Sequence, residues 1–339
     1  MPRATRSSER LPALLLAWVA AGAAATALAA DDPADWLARM NRALTTRNYD
    51  GTFSHWHAGT VEMLRIIHRV RDGRVAERLV SLDGSGREFI RSGSNLTCYL
   101  PDKRLVVVEQ RAPQEPLVGF PEVDNQSAGL YDISETARTR LNRHDTHVIT
   151  VAPRDEFRYG YRLWIDDATA MPLKTQLCDA HGRVIEQIVF ASLALPARIP
   201  DSAFRPEVST AGFEWLRSDA ALPAAPSPQV WNALKLPPGF RMMTRQAQML
   251  PGASDPVDHL VFSDGLASVS VFVESRPDPG GADQAPVVQS ARVGSSSAFS
   301  TVVDGHKVTA VGEVPPATVR FIASQVKAQT PTALGSRHP

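Results

Sequence analysis

Between Tyr49 and Ser192 the chain alternates short, half-apolar runs with glycine or proline turns, and this texture restricts the fold more than any other feature. Strand-like runs cover 49–57, 61–70, 74–82, 87–92, 96–100 and 105–110, then 147–151, 159–166, 172–179 and 183–191. Asp72-Gly73, Asp83-Gly84, Ser92-Gly93, Pro101-Asp102 and Gly182 punctuate them. Side chains on a strand alternate between faces, so many short runs at hairpin spacing predict one strongly curved antiparallel sheet or barrel. The stretch 112–128 carries Pro113, Pro116 and Pro121 and reads as a loop, followed by a short helix near 134–140.

One amphipathic helix precedes the strands. Asp32 suits its N-cap, Pro33 its first position and Asp35 its first turn. Leu37, Met40 and Leu44, flanked by Trp36 and Ala43, line one face, and the helix should stop near Asn48. Such a helix is the natural filler for the open side of a curved sheet. Residues 218–229 (SDAALPAAPSPQ) lack periodicity and read as a stiff exposed linker. Beyond it lies a smaller unit, with hairpins around Asp264-Gly265 and Asp304-Gly305, a breaker-rich loop at 276–290 and a closing helix carrying Val319, Ile322, Ala323 and Val326. The fold class expected is therefore α+β in two domains, 31–217 and 230–328, with a frayed tail at 329–339.

Residues 1–30 have the three parts of an export signal: Arg3, Arg6 and Arg10, an uncharged stretch rich in Leu and Ala, and small residues at Ala27 and Ala29. Their removal places the mature protein in the periplasm. The chain carries 36 basic and 36 acidic side chains. Loss of the leader takes three arginines and one glutamate, leaving about −2, too balanced for a nucleic-acid binder. Cys98 and Cys178 could form a disulfide in an oxidising compartment or serve as two buried thiols.

Catalytic signatures are missing: the chain has no H-E-x-x-H, G-x-S-x-G, P-loop, Rossmann glycine run or C-x-x-C. No cofactor is expected and the chain does not read as an enzyme. His55 and His57 alternate on one strand face without an evident third ligand, and His144, Asp145 and His147 read as solvated turn residues. Arg65, Arg69, Arg71, Arg74 and Arg78 form either a landing strip for an acidic ligand or an ordinary solvated face beside Glu62 and Glu77.

Several stretches resemble the MucB/RseB family of periplasmic regulators of the envelope-stress sigma factor. They are Tyr49-Asp50-Gly51-Thr52-Phe53, Glu77-Arg78-Leu79, Tyr99-Leu100-Pro101, the run from Arg158 to Asp166, and Met171-Pro172-Leu173. In the second unit they are Leu236-Pro237-Pro238-Gly239-Phe240, Phe262-Ser263-Asp264-Gly265-Leu266 and the run from Val311 to Pro316. Singly each is a turn or strand signal; their joint order is specific. The resemblance implies an unclosed antiparallel β-barrel with a helical plug, like LolA and LolB, in the first domain. It also implies a role: binding the periplasmic part of a membrane-spanning anti-sigma factor and shielding it from regulated proteolysis, with lipopolysaccharide or lipoprotein lipid as the releasing signal. A lipid or lipoprotein carrier is the alternative, and a homo-oligomer is left open. Under that reading Phe53, Met63, Leu163 and Ile165 are candidates to line a lipid cavity, and Ser263, Asp264, Gly265 and Leu266 to meet the partner.

Overall fold

The computed structural model describes residues 32–110, 116–121, 128–218, 230–248, 255–274 and 288–329. The leader, the linker at 219–229 and most of the loop at 276–290 lie outside the described residues. Helix α1 (Pro33–Thr46) begins where expected, with the Asp32 carboxylate accepting the Ala34 N–H at 3.0 Å. It ends because Arg47 turns extended, its N–H still donating to the Ala43 carbonyl. Trp36, Leu37, Met40, Ala43 and Leu44 form its buried face.

Twelve strands then make one sheet. They are β1 (Tyr49–His57), β2 (Thr60–Arg71), β3 (Arg74–Ser81), β4 (Glu88–Ser92), β5 (Asn95–Leu100), β6 (Leu105–Gln110), β7 (Tyr131–Leu141), β8 (His144–Pro153), β9 (Gly160–Asp166), β10 (Pro172–Cys178), β11 (Val184–Ala194) and β12 (Glu214–Ser218). Their spatial order is β12-β6-β5-β4-β3-β2-β1-β11-β10-β9-β8-β7, so β1 beside β11 ties the two hairpin series together and the ends do not meet. All ladders are antiparallel except β12, which adds to β6 in parallel. At the β2–β3 hairpin Asp72 and Gly73 both have positive φ, 53° and 71°, the two-residue turn whose twist matches the strands. The inward residues Phe53, Leu64, Ile66, Leu163, Ile165 and Phe190 close a core with the buried face of α1. Each fully buried side chain of that size stabilises by about 1.5–3 kcal/mol.

The expected short helix at 134–140 is a strand. These residues lie in β7, paired with β8 through a bulge between Glu135 and Ala137. The hairpin turn is Asn142 and Arg143, both with positive φ, which carries none of the usual glycine signal. β7 is also an edge strand with few buried residues, so its alternation is faint.

The smaller unit has two sheets. β13 (Val230–Ala233) pairs with β20 (Val326–Gln329). β14 (Arg241–Gln248), β15 (Val257–Ser263), β16 (Ser268–Val273), β17 (Gln289–Val293), β18 (Ser296–Val303) and β19 (His306–Gly312) form the other, ordered β14-β15-β16-β19-β18-β17. Helix α2 (Pro316–Gln325) lays Val319, Ile322 and Ala323 onto it beside Leu260, Phe262, Val271, Val308 and Ala310, all completely buried or nearly so. Gln329, expected to begin the frayed tail, remains paired with Val230 of β13. From Asp32 onward the chain is one compact unit in which the two cores remain distinct.

Candidate functional site

A cavity of about 1340 Å³ opens at one end of the larger sheet. Four elements surround it: the C-terminal half of α1 with Asn41, Leu44 and Thr45, the end of the β2–β3 hairpin, the β4–β5 turn around Gly93, and the segment from Pro116 to Phe120. Its lining is mixed. Leu44, Val75, Pro116, Val118 and Phe120 supply apolar surface, Arg69, Arg71, Arg74 and Arg91 supply basic groups, and Asp72 and Glu77 supply acidic ones. That combination suits an amphiphile with an acidic head, and the volume is above that of a typical small-molecule pocket.

The floor is a buried polar cluster. Glu77 and Arg91 face each other across β3 and β4, with Arg91 Nε donating to Glu77 Oε2 at 2.9 Å, and only 1% and 3% of the two residues is exposed. The same Oε2 accepts the Leu117 N–H at 2.9 Å, which ties the 116–121 segment to the sheet. His68 Nδ1 donates to the Arg47 carbonyl at 3.0 Å, and Nε2 lies 3.9 Å from Glu77 Oε1. Tyr49 stacks on the His68 ring at 4.5 Å between centroids. Burial lowers the His68 pKa from its ordinary value, partly opposed by the Glu77 charge. Burial, reinforced by Glu77, pushes the Tyr49 phenol far up. A buried ion pair of this kind contributes little net stability, but loss of one partner strands the other charge away from water.

The basic hairpin is not a free landing strip. Arg65 forks onto Asp50, and Arg69 and Arg71 share Asp201. Arg78 is buried against Glu88, whose other oxygen accepts the N–H groups of Glu207 and Val208. Only Arg74, exposed at the cavity rim, has no ion-pair partner among the described residues.

The residues expected to line a lipid cavity do not line this one. Phe53, Leu163 and Ile165 are packed into the core beneath α1. Met63 is 37% exposed on the opposite face, because Phe53 pairs with Leu64 while Met63 pairs with outward Ser54. The lining of this cavity (Tyr49, His68, Glu77, Arg91) left one signal in the sequence: an acidic residue, Glu77, placed within a strand-like run. Cys98 and Cys178 are not joined. Both are buried, on β5 and β10, and five strands at about 4.8 Å spacing lie between these in the sheet.

The turn at 263–266, expected to meet the partner, is engaged within the chain although Gly265 stays exposed. Asp264 is 4% exposed and its carboxylate receives Arg158 Nη1 at 2.6 Å and the N–H groups of Leu266 and Ala267 at 3.0 and 2.7 Å. Ser263 Oγ donates to the Ala267 carbonyl and accepts the Gly265 N–H, and Leu266 packs on the core of the larger unit. The turn meets the chain's own larger sheet. His147, expected in solvent, is buried: it stacks on Trp36 at 3.7 Å, with Glu135 at 3.1 Å and Asp167 at 2.8 Å from its two nitrogens. His55 and His57 stack on one face as expected, and His55 pairs with Glu186 at 2.7 Å.

An open sheet plugged by a helix, a large amphiphilic cavity and a second sheet clamped to the first define a two-module binding protein. The chain belongs to the MucB/RseB family: the MucB/RseB N-terminal domain matches residues 32–208 and the MucB/RseB C-terminal domain residues 225–327. Sigma factor AlgU regulatory protein MucB of Pseudomonas aeruginosa is 31% identical over 318 residues, 90% of this chain and 93% of the relative. Sigma-E factor regulatory protein RseB of Salmonella typhimurium is 30% identical over 320 residues, 91% and 95% of the two chains. Among solved structures, the Pseudomonas aeruginosa MucA/MucB complex matches with a TM-score of 0.69 at 28% identity, covering 88% of this chain and 99% of that one. MucB in complex with MucA(peri) matches at 0.68 and 27% identity, covering 88% and 100%.

Proposed function

We propose that this protein binds the periplasmic part of a membrane-spanning anti-sigma factor and shields it from regulated proteolysis, and that an amphiphile entering the cavity releases it. The observation that carries the first half is membership of the family over both modules, together with solved complexes in which the similar MucB holds MucA(peri). The leader features at Arg3, Arg6, Arg10, Ala27 and Ala29 support export to the periplasm with cleavage near Ala30. The units 31–217 and 230–328 would then divide the work, the first sensing the lipid and the second supporting the partner.

Release by lipid is a linkage: the amphiphile displaces the partner only to the extent that it prefers a state the partner does not. The cavity supports this half, with apolar walls for acyl chains and Arg74 at its rim for a phosphate or carboxylate head. The same cavity favours one alternative, a periplasmic lipid or lipoprotein carrier. Titration calorimetry of the mature protein with the periplasmic segment of the anti-sigma factor from the same genome, with and without lipopolysaccharide, separates the two. Binding that weakens as lipopolysaccharide is added is the expected result. No binding in either condition, with lipid transfer between vesicles by the protein alone, would establish the carrier instead.

A further inference from the structure

Arg158 is a large charged side chain with no exposed surface, and it lies where the two modules meet. Its guanidinium spends one edge on each module. Nε donates to Asp155 Oδ1 at 2.9 Å within the larger unit. Nη1 donates to Asp264 Oδ2 and Nη2 to the Pro238 carbonyl, both at 2.6 Å, in the smaller unit. Tyr131 of the larger unit and Phe240 of the smaller flank it, with ring centroids 5.7 and 5.5 Å from the guanidinium carbon. The seam is broader than this one group: Thr318 Oγ1 donates to the Phe157 carbonyl at 2.7 Å, Phe157 meets Phe321 edge-on, Gly239 packs closely against the Leu130 side chain, Leu266 packs on the larger core, and Gly294 lies against His57 and Ala58. Three of the stretches that carry the family resemblance, those holding Arg158, Pro238 and Asp264, thus converge on one group although 106 residues separate Arg158 from Asp264.

We infer that Arg158 is a positioning residue: its buried pair with Asp264 locks the two modules into a single mutual arrangement, and partner binding is read through that lock. The physical basis is the asymmetry of buried charge. Such a pair adds little net stability over an apolar replacement, yet it cannot slide, because any other arrangement of the modules leaves a desolvated charge without its counterion. The planar fork also fixes direction, as an ammonium would not. The seam therefore has two states, closed and dry or open and rehydrated, rather than a continuum. A ligand on either module that favours one state changes affinity at the other.

The lock itself stands apart from the proposed partner; its reading-out in affinity rests on that proposal. Two variants of the mature chain test both. Asp264→Asn removes the counterion on the smaller module, leaving Asp155, and keeps the shape; Arg158→Met with Asp264→Asn removes both charges of the pair and keeps an acceptor for the Leu266 and Ala267 N–H groups. Small-angle scattering of the protein alone, with thermal unfolding as the check on folding, should show a larger radius of gyration for folded Asp264→Asn. The double variant should melt above Asp264→Asn alone while its scattering reports a broader set of module arrangements, and its affinity for the periplasmic segment should fall about tenfold. Parent-like scattering of the folded double variant would overturn the lock, whatever becomes of the single one. Altered scattering with unchanged affinity would overturn the read-out alone, and a parent protein that binds no segment would fault the proposed function instead.

Discussion

At the level of single residues, the cavity floor makes stability depend on pH. His68 is held neutral, its folded pKa lying below the unfolded value of 6.5, chiefly through burial. His259 is lowered by the same cause. A depressed histidine takes up its proton more readily when unfolded, so its contribution is complete above the unfolded pKa and is lost as pH falls through about 6.5 toward the folded value. Glu313 acts in the opposite sense: burial, with Glu186 nearby, raises it above 4.5, so its contribution is present below that value and is lost as pH rises through the folded one. Urea unfolding of the parent should therefore weaken between pH 7 and 5, and His68→Gln should flatten that slope. A slope unchanged by the substitution would assign it to other groups. Apart from Glu77, an acidic residue within a strand-like run, this cluster is not legible in the sequence, because Tyr49, His68, Glu77 and Arg91 come from four strands and no local pattern joins them. Phe53, Leu163 and Ile165, expected to line a lipid cavity, lie in the core beneath α1. Met63 was misplaced by the one-residue shift that separates the two faces of a strand.

Among the elements, burial sets sharply different tolerances for similar side chains. Met40 of α1 is completely buried, whereas Met63 of β2 is 37% exposed. Met40→Ala should cost about 2–5 kcal/mol, as for a core cavity, and Met63→Ala about 0.5 kcal/mol or less, as for the surface. Comparable losses in urea unfolding would contradict the assigned faces. Gly160, at the start of β9, makes a second case. A Cβ there would lie 2.7 Å from the Val151 carbonyl oxygen and 2.8 Å from Pro153 Cδ on the neighbouring strand, and backbone cannot step aside. Gly160→Ala should lower stability by about 1–3 kcal/mol without touching the cavity, measured as a shift in the thermal midpoint. Gly160 thus has a packing reason of its own within the Tyr159-Gly160-Tyr161 stretch. α1 and the hairpins with glycine turns were readable because each carries its own periodicity and punctuation. β7 was not, since its turn residues Asn142 and Arg143 adopt positive φ without a glycine and its outer side faces solvent.

For the whole molecule, the sequence announced two units and a linker but not how they join. That information sits in Arg158 and Asp264, which look like an ordinary strand-start arginine and a hairpin aspartate until the fold brings them together. The open sheet provides a cavity large enough for an amphiphile, and a buried ion pair joins the two modules. Under the proposed function the protein holds its partner when the cavity is empty and loses it when the cavity is filled. The direct measurement is the half-life of the full-length anti-sigma factor in lipid vesicles exposed to its first regulatory protease, with increasing amounts of the mature protein. Protection should rise to saturation in step with binding and be reversed by lipopolysaccharide. Cleavage at the unprotected rate with the protein at saturation would contradict the central claim.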